Sequence, residues 1–163
     1  MVETKRIEVP EEELESVPES SWIAEEELQP IKEEKISHDE LRNKIAEIGK
    51  CEGKYVQVEY PIDHLKLDVV WKTVSTSSPG WAFEVQLSGN FYEALTKLMH
   101  AWTKWNCRPF LVTTDKYIEQ AKSLIEGSFH GMRDDIRLVE WKKMLALWEY
   151  AMKAFDIKKE VRL

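Results

Sequence analysis

Two carboxylates in otherwise apolar strand-like runs, Asp68 in Leu67-Asp68-Val69-Val70-Trp71 and Glu84 in Phe83-Glu84-Val85-Gln86-Leu87, are the residues most suited to chemistry in this chain. A β-strand alternates its faces, so Glu84 and Gln86 are expected on one side of their strand and Phe83, Val85 and Leu87 on the other. In the earlier run Asp68 shares a face with Val70, opposite Leu67, Val69 and Trp71. Burying an ionised carboxylate without a partner is costly, so each must either be solvated, pair with a cation such as Lys66 or Lys72, or help to bind a metal. A divalent cation would serve both at once.

The surrounding sequence supplies elements that can position this pair. Ser37 and Glu40 form a capping-box pattern ahead of Leu41, Ile45 and Ile48, which predicts a helix ending near Gly49. Glu40 is then either the capping carboxylate or a third acidic group for the site. Tyr55 to Tyr60 alternates as a strand up to Pro61, and the Asp68 and Glu84 strands follow, separated by the turn-rich stretch Ser75 to Gly80. From Phe91 to Trp105 the apolar residues keep a helical period, with Lys97, His100 and Lys104 on the polar side. Arg108 to Thr113 reads as a buried strand, so strand, helix and strand predict a right-handed crossover and a parallel pair. A helix from Asp115 to Glu126, a short strand from Ile136 to Glu140 and an amphipathic helix from Trp141 to Phe155 complete the order α, β, β, β, α, β, α, β, α.

A helix with an early Glu, a strand bearing Asp68, a strand bearing Glu84-Val85-Gln86, then a helix and a buried strand resemble the PD-(D/E)xK, or restriction-endonuclease-like, nuclease superfamily over residues 37 to about 140. The resemblance implies an α/β fold with a restriction-endonuclease-like core, a mixed central sheet flanked by helices. It also implies Mg²⁺- or Mn²⁺-dependent hydrolysis of phosphodiester bonds in DNA, in repair, recombination or defence. Asp68 and Glu84 would be the two motif carboxylates, and Glu40 would match the helix carboxylate that some members add. Mg²⁺ prefers oxygen ligands and retains waters, so these carboxylates, the Val85 carbonyl and a phosphate oxygen would suit its shell. Gln86 stands where the family usually has Lys. Gln cannot supply positive charge, so Lys97 on the next helix or Lys72 after the Asp68 strand is the candidate replacement. The rival expectation is a catalytically inactive nuclease-like module that binds nucleic acid or a protein partner.

Composition places few limits on such an activity. The chain has 163 residues, 43% hydrophobic and including seven Trp, enough for one core with an appendage. Residues 1–36 hold twelve Glu against four Lys or Arg, whereas residues 37–163 are close to neutral, so the overall charge of −7 belongs to an acidic, largely mobile N-terminal segment. Within it, Trp22 and Ile23 either clip onto the domain or belong to a short helix capped by Ser20 or Ser21 and running to Leu28. Cys51 and Cys107 show no metal-ligand spacing, and no run is long and apolar enough to span a bilayer, so a cytoplasmic protein is expected. His64 and His100 are read as surface residues or secondary site groups. Ser88-Gly89-Asn90 lies before a helix N-terminus, where it can cap the helix or meet a phosphate; the Gly127 to Gly131 stretch reads as loop closure. Trp102, Trp105, Trp141 and Trp148 fall at core spacing, and the C-terminal helix or Trp-rich faces suggest a homodimer.

Overall fold

Ser37 starts the first helix through its hydroxyl, which accepts the Glu40 N–H at 3.1 Å while its own backbone stays extended at φ −79° and ψ 155°. A cap of this kind contributes about 1 kcal/mol. The computed structural model describes residues 35–163, so the expectations for the acidic segment, its mobility, its docked Trp22 and its short helix lie outside the described residues. Helix α1 (His38–Cys51) buries Leu41, Ile45 and Ile48 as its spacing predicts, but it continues two residues beyond Gly49. Tertiary contact explains the overrun. A Cβ at Gly49 would fall onto the Trp71 indole, 2.6 Å from Cε2, and 2.7 Å from Val56 Cγ2, so glycine here permits a close approach of helix to sheet.

That contact makes a first prediction. Gly49→Ala should lower the melting temperature, because overpacking costs about 1–3 kcal/mol while better helix propensity returns only about 1 kcal/mol. A variant melting at or above the wild-type temperature would show that the helix and sheet can separate freely at this point.

The strands are β1 (Tyr55–Ile62), β2 (Leu65–Lys72), β3 (Trp81–Val85), β4 (Arg108–Thr113) and β5 (Arg137–Glu140), arranged in that order in one mixed sheet. Neighbours β1 and β2 are antiparallel, as are β2 and β3, whereas β3, β4 and β5 run parallel. The expected crossover is α2 (Tyr92–Trp105) between β3 and β4. A second connection passes through a 3₁₀ turn at Asp115–Tyr117 and α3 (Ile118–Ser128) to β5, and α4 (Trp141–Val161) follows directly. β1 passes through Pro61 instead of stopping there, which its edge position tolerates because an edge strand has one side free of ladder bonds.

Two apolar clusters sandwich the sheet. Residues of α2 and α3, including Leu95, Leu98 and Ile125, pack with Leu67, Val70, Ala82 and Leu111. Residues of α1 and α4, including Leu41, Ile45, Trp141 and Met144, pack with Val69, Trp71, Phe83, Val85 and Val112. The protein is therefore α/β, with a five-stranded mixed sheet flanked by helices. Leu67 joins Val70 and not Val69, so the simple alternation expected for β2 slips around Asp68. Across the strand pair, between the partners Val58↔Val69 and Tyr60↔Leu67, Glu59 has the left-handed φ of 49°, which interrupts regular pairing at this level. Among the described residues, no helix is long and apolar enough to cross a membrane.

Candidate functional site

Regular pairing of β2 with β3 runs from Val69↔Phe83 to Trp71↔Trp81. At the next level, the side chains take over the work of the backbone ladder. The Asp68 N–H donates to Glu84 Oε1 at 2.8 Å, and the Val85 N–H donates to Asp68 Oδ2 at 2.8 Å. Each strand thus offers a peptide donor to the other strand's carboxylate, and the two acids are held beside one another by crossed bonds. Glu84 is 2% exposed, so its negative charge is almost wholly removed from water.

Lys97 provides the compensating charge. It is the residue of α2 that reaches down to the sheet, with its Nζ 2.7 Å from Glu84 Oε2 and 3.1 Å from the Lys66 carbonyl oxygen. The ammonium is itself largely buried, with its side chain 13% exposed. Burial above all, and then the nearby charge of Asp68, push the Glu84 carboxyl up to about 8, while Lys97 and the Asp68 N–H oppose the rise. A carboxyl buried in this way gives up its proton less readily than an exposed one.

His38 completes the cluster. It is the first residue of α1, and its Nε2 lies 3.1 Å from Asp68 Oδ2 while Nδ1 lies 3.2 Å from Asp39 Oδ1. Burial lowers the proton affinity of the ring, but the charge of Asp68 and hydrogen bonds to both acids outweigh it, so the His38 pKa is raised. With an acceptor at each nitrogen, the doubly protonated imidazolium satisfies both bonds. Sequence spacing locates His38 at the start of a helix but carries no sign that this helix end faces the Asp68 strand.

The other expected site residues are placed less centrally. Gln86 is half-buried, its amide Nε2 donating to Ser88 Oγ at 2.7 Å and its backbone N–H to the Val112 carbonyl at 2.9 Å. Glu40 is exposed, with Oε1 4.0 Å from Lys44 Nζ one turn along α1. Val85 contributes its N–H to the crossed bonds. Lys72, the alternative to Lys97, is buried against the Tyr60 ring, with Nζ 4.7 Å from its centroid. His100 pairs with Asp63 at 3.2 Å on the surface, and His64 is exposed. Phe91, not Ser88 or Asn90, occupies the N-cap position of α2, without a side-chain capping bond.

These residues set limits on what cation the site can take. Among the described residues, no group of three or more His, Cys, Asp and Glu side chains is arranged to hold a metal. Two crossed carboxylates suit an ion that keeps much of its water, as Mg²⁺ does, better than one needing a complete protein cage. The oxygen donors also disfavour thiophilic metals. No protein-family model matches the chain, and comparisons with curated proteins and with solved structures find no significant match.

Proposed function

We propose that this protein is a metal-dependent nuclease of the PD-(D/E)xK type, with a restriction-endonuclease-like core, that hydrolyses phosphodiester bonds in DNA. The observation that carries this reading is the buried ion pair between Lys97 and Glu84 beside the crossed bonds of Asp68 and Glu84. The positive charge that Gln86 cannot supply comes instead from the following helix. The order of one helix, three antiparallel strands and a helix leading to a parallel strand supports the same reading.

Asp68 and Glu84 would hold Mg²⁺ or Mn²⁺, with the Val85 carbonyl as a further oxygen donor. The ion, when bound, supplies Lewis-acid stabilisation and lowers the pKa of water in its shell. Lys97, its ammonium 2.7 Å from Glu84 Oε2, would orient an attacking water and stabilise negative charge as it accumulates on the phosphoryl oxygens. The Asp68 and Val85 amides fix the carboxylates before substrate arrives, which reduces the reorganisation required during reaction. His38 restrains Asp68 from the outer side and can carry a proton between the site and solvent, because its ring is partly exposed. Gln86 can orient a ligand only by hydrogen bonding.

A second reading, an inactive nuclease-like module that binds nucleic acid or a protein, draws on a different observation. Asp68 Oδ2 already has two partners and both Glu84 oxygens have one, so the cluster is internally neutralised without a cation. The two readings separate in a cleavage assay on duplex, branched and single-stranded DNA with Mg²⁺ or Mn²⁺. Cation-dependent products from wild type, absent from Asp68→Asn and Glu84→Gln, support the nuclease. A lack of cleavage across those substrates favours the binding module.

The Glu84 carboxyl makes the reaction pH-dependent. Its folded-state value of about 8 lies above the ordinary 4.5, so deprotonation is incomplete at neutral pH and the cleavage rate should rise toward pH ~8. Added cation competes with the proton, so its increase should move the midpoint downward. The stability sign is opposite: between about pH 4.5 and 8 the folded protein retains a proton that the unfolded chain has lost, so this group's stabilising contribution falls as pH rises through that interval. Thermal melts of wild type and Glu84→Gln across this range, beside rate profiles at two Mg²⁺ concentrations, test both signs. A rate midpoint unmoved by cation would separate Glu84 from cation binding.

A further inference from the structure

The sheet ends at β5, and the groove beside that edge carries charge that the carboxylate cluster does not use. Arg108, Arg137 and Lys143 line a cavity of about 750 Å³ together with Phe110, Val139 and the acidic Asp135. All three cations are exposed. Among the described residues none of them forms a salt bridge; Arg137 donates to the Asp134 carbonyl at 3.2 Å, which leaves its charge uncompensated. Asp135 is partly engaged elsewhere, its Oδ2 accepting the Trp102 indole N–H at 2.9 Å. The groove is therefore positive at close range although residues 37–163 are nearly neutral as a whole.

Its floor is aromatic. Phe110 is half-buried and stacks on Phe83 with ring centroids 4.6 Å apart and planes inclined by 15°. That stack fixes the ring, so a second planar group can meet it without ordering a mobile side chain. Phe110 and Arg137 are register partners on adjacent parallel strands, which puts a guanidinium next to the ring. Arg108 belongs to the same strand as Phe110, two residues earlier, and thus to the same face. A cationic groove with a fixed aromatic floor matches the chemistry of an unpaired nucleic-acid strand, whose phosphates require positive charge and whose bases offer planar faces. An acidic polypeptide would use the charges but has no general need for the ring.

We propose that the Arg108–Phe110–Arg137–Lys143 groove binds a single-stranded nucleic acid through phosphate contacts and base stacking. Phe110 packs with the cluster containing Phe83 and Val85, whereas Glu84 alternates with those residues on β3, so the Phe110 ring and the Glu84 carboxylate lie on opposite faces of the sheet. Binding at the groove does not require hydrolysis at Glu84, and the inference goes beyond the nuclease reading.

The test is fluorescence anisotropy of a labelled oligothymidylate with the full chain, in chelator so that cleavage cannot contribute. Arg108→Ala with Lys143→Ala should weaken binding at least about tenfold at low salt and flatten the dependence of log affinity on log salt by about 1.4, because two phosphate contacts are removed. Both residues are exposed, so far-ultraviolet circular dichroism and melting should match wild type. An abasic oligonucleotide of equal length should bind about fivefold or more weakly than oligothymidylate, the loss due to stacking. Unchanged affinity in the double variant would overturn the groove, equal binding of the abasic strand would overturn the stacking, and displacement of the oligonucleotide by an equal concentration of polyglutamate would assign the surface to acidic polypeptides. Cleavage in Mg²⁺ is read separately with Asp68→Asn, so a failed groove and a failed nuclease give different results.

Discussion

Asp68→Asn and Glu84→Gln should each reduce cation-dependent phosphodiester cleavage by about 10²–10³-fold or more, the usual effect of removing one preorganised electrostatic group from a site. Both substitutions are chosen to retain an acceptor oxygen. In Asp68→Asn the new amide oxygen can still accept from the Val85 N–H, and in Glu84→Gln it can still accept from the Asp68 N–H, so the crossed bonds between β2 and β3 survive while one charge is lost. Alanine would remove charge and strand contact together, and a lost activity would then have two causes. The Asp68 change has an additional readout: without its charge, Glu84 should titrate at lower pH, because Asp68 is among the groups raising it. The decisive measurement is single-turnover cleavage with titrated Mg²⁺. Full activity in both variants would separate phosphodiester hydrolysis from these two carboxylates.

Lys97→Met should have the largest effect on stability. Removing one partner from a buried ion pair costs about 3–5 kcal/mol, because the other charge is left in a poorly solvated place. Glu84 is only 3% exposed at its side chain and Lys97 only 13%, so solvent cannot readily replace the ammonium. The carboxyl will respond by holding its proton to higher pH, and the penalty should shrink in acid. Combining Lys97→Met with Glu84→Gln should restore much of the stability, since both charges of the pair are then gone and Asp68 keeps its bond to His38, but should not restore cleavage. Urea unfolding of the two single variants and the double variant, at about pH 6 and about pH 9, measures this coupling. A Lys97→Met protein as stable as wild type at high pH would show that the ion pair contributes little, and retained cleavage would remove Lys97 from the proposed reaction.

Much of this arrangement is legible in local patterns, for definite reasons. The period-two alternation of Phe83-Glu84-Val85 and the apolar surroundings of both acids place Glu84 on a sheet face opposite Phe83 and Val85, in agreement with the packing of those two apolar residues against α1 and α4. Lys97 is identifiable as a candidate because its helix directly follows the Glu84 strand, but helical periodicity alone sets it on the polar side. Its long aliphatic stem carries the ammonium from there to the buried carboxylate, a reach that the period does not encode. The direction of the Gln86 amide is not legible, because its bond to Ser88 depends on a side-chain rotamer and a loop. Helix ends are also imperfectly visible: the glycine signal at Gly49 marks an element boundary by propensity, but close packing gives it another use. The final helix continues beyond Phe155 to Val161 although most of that last stretch is exposed, so the amphipathic pattern underestimates it. His38 escapes a sequence reading because its bond to Asp68 joins residues thirty positions apart, and nothing in the local sequence encodes that approach.

The contact between Gly49 and Trp71 gives α1 a fulcrum at one end, while His38 occupies the other, eleven residues and about 16 Å along the axis. A small displacement at the fulcrum becomes a tilt, and a tilt changes the separation of His38 from Asp68 at the far end. Since the charge of Asp68 helps to raise the proton affinity of that imidazole, such a tilt would alter it from the opposite end of the helix. Changes in the volume of Val56, Gly49 or Trp71 would retune the site mechanically, leaving all its polar residues in place.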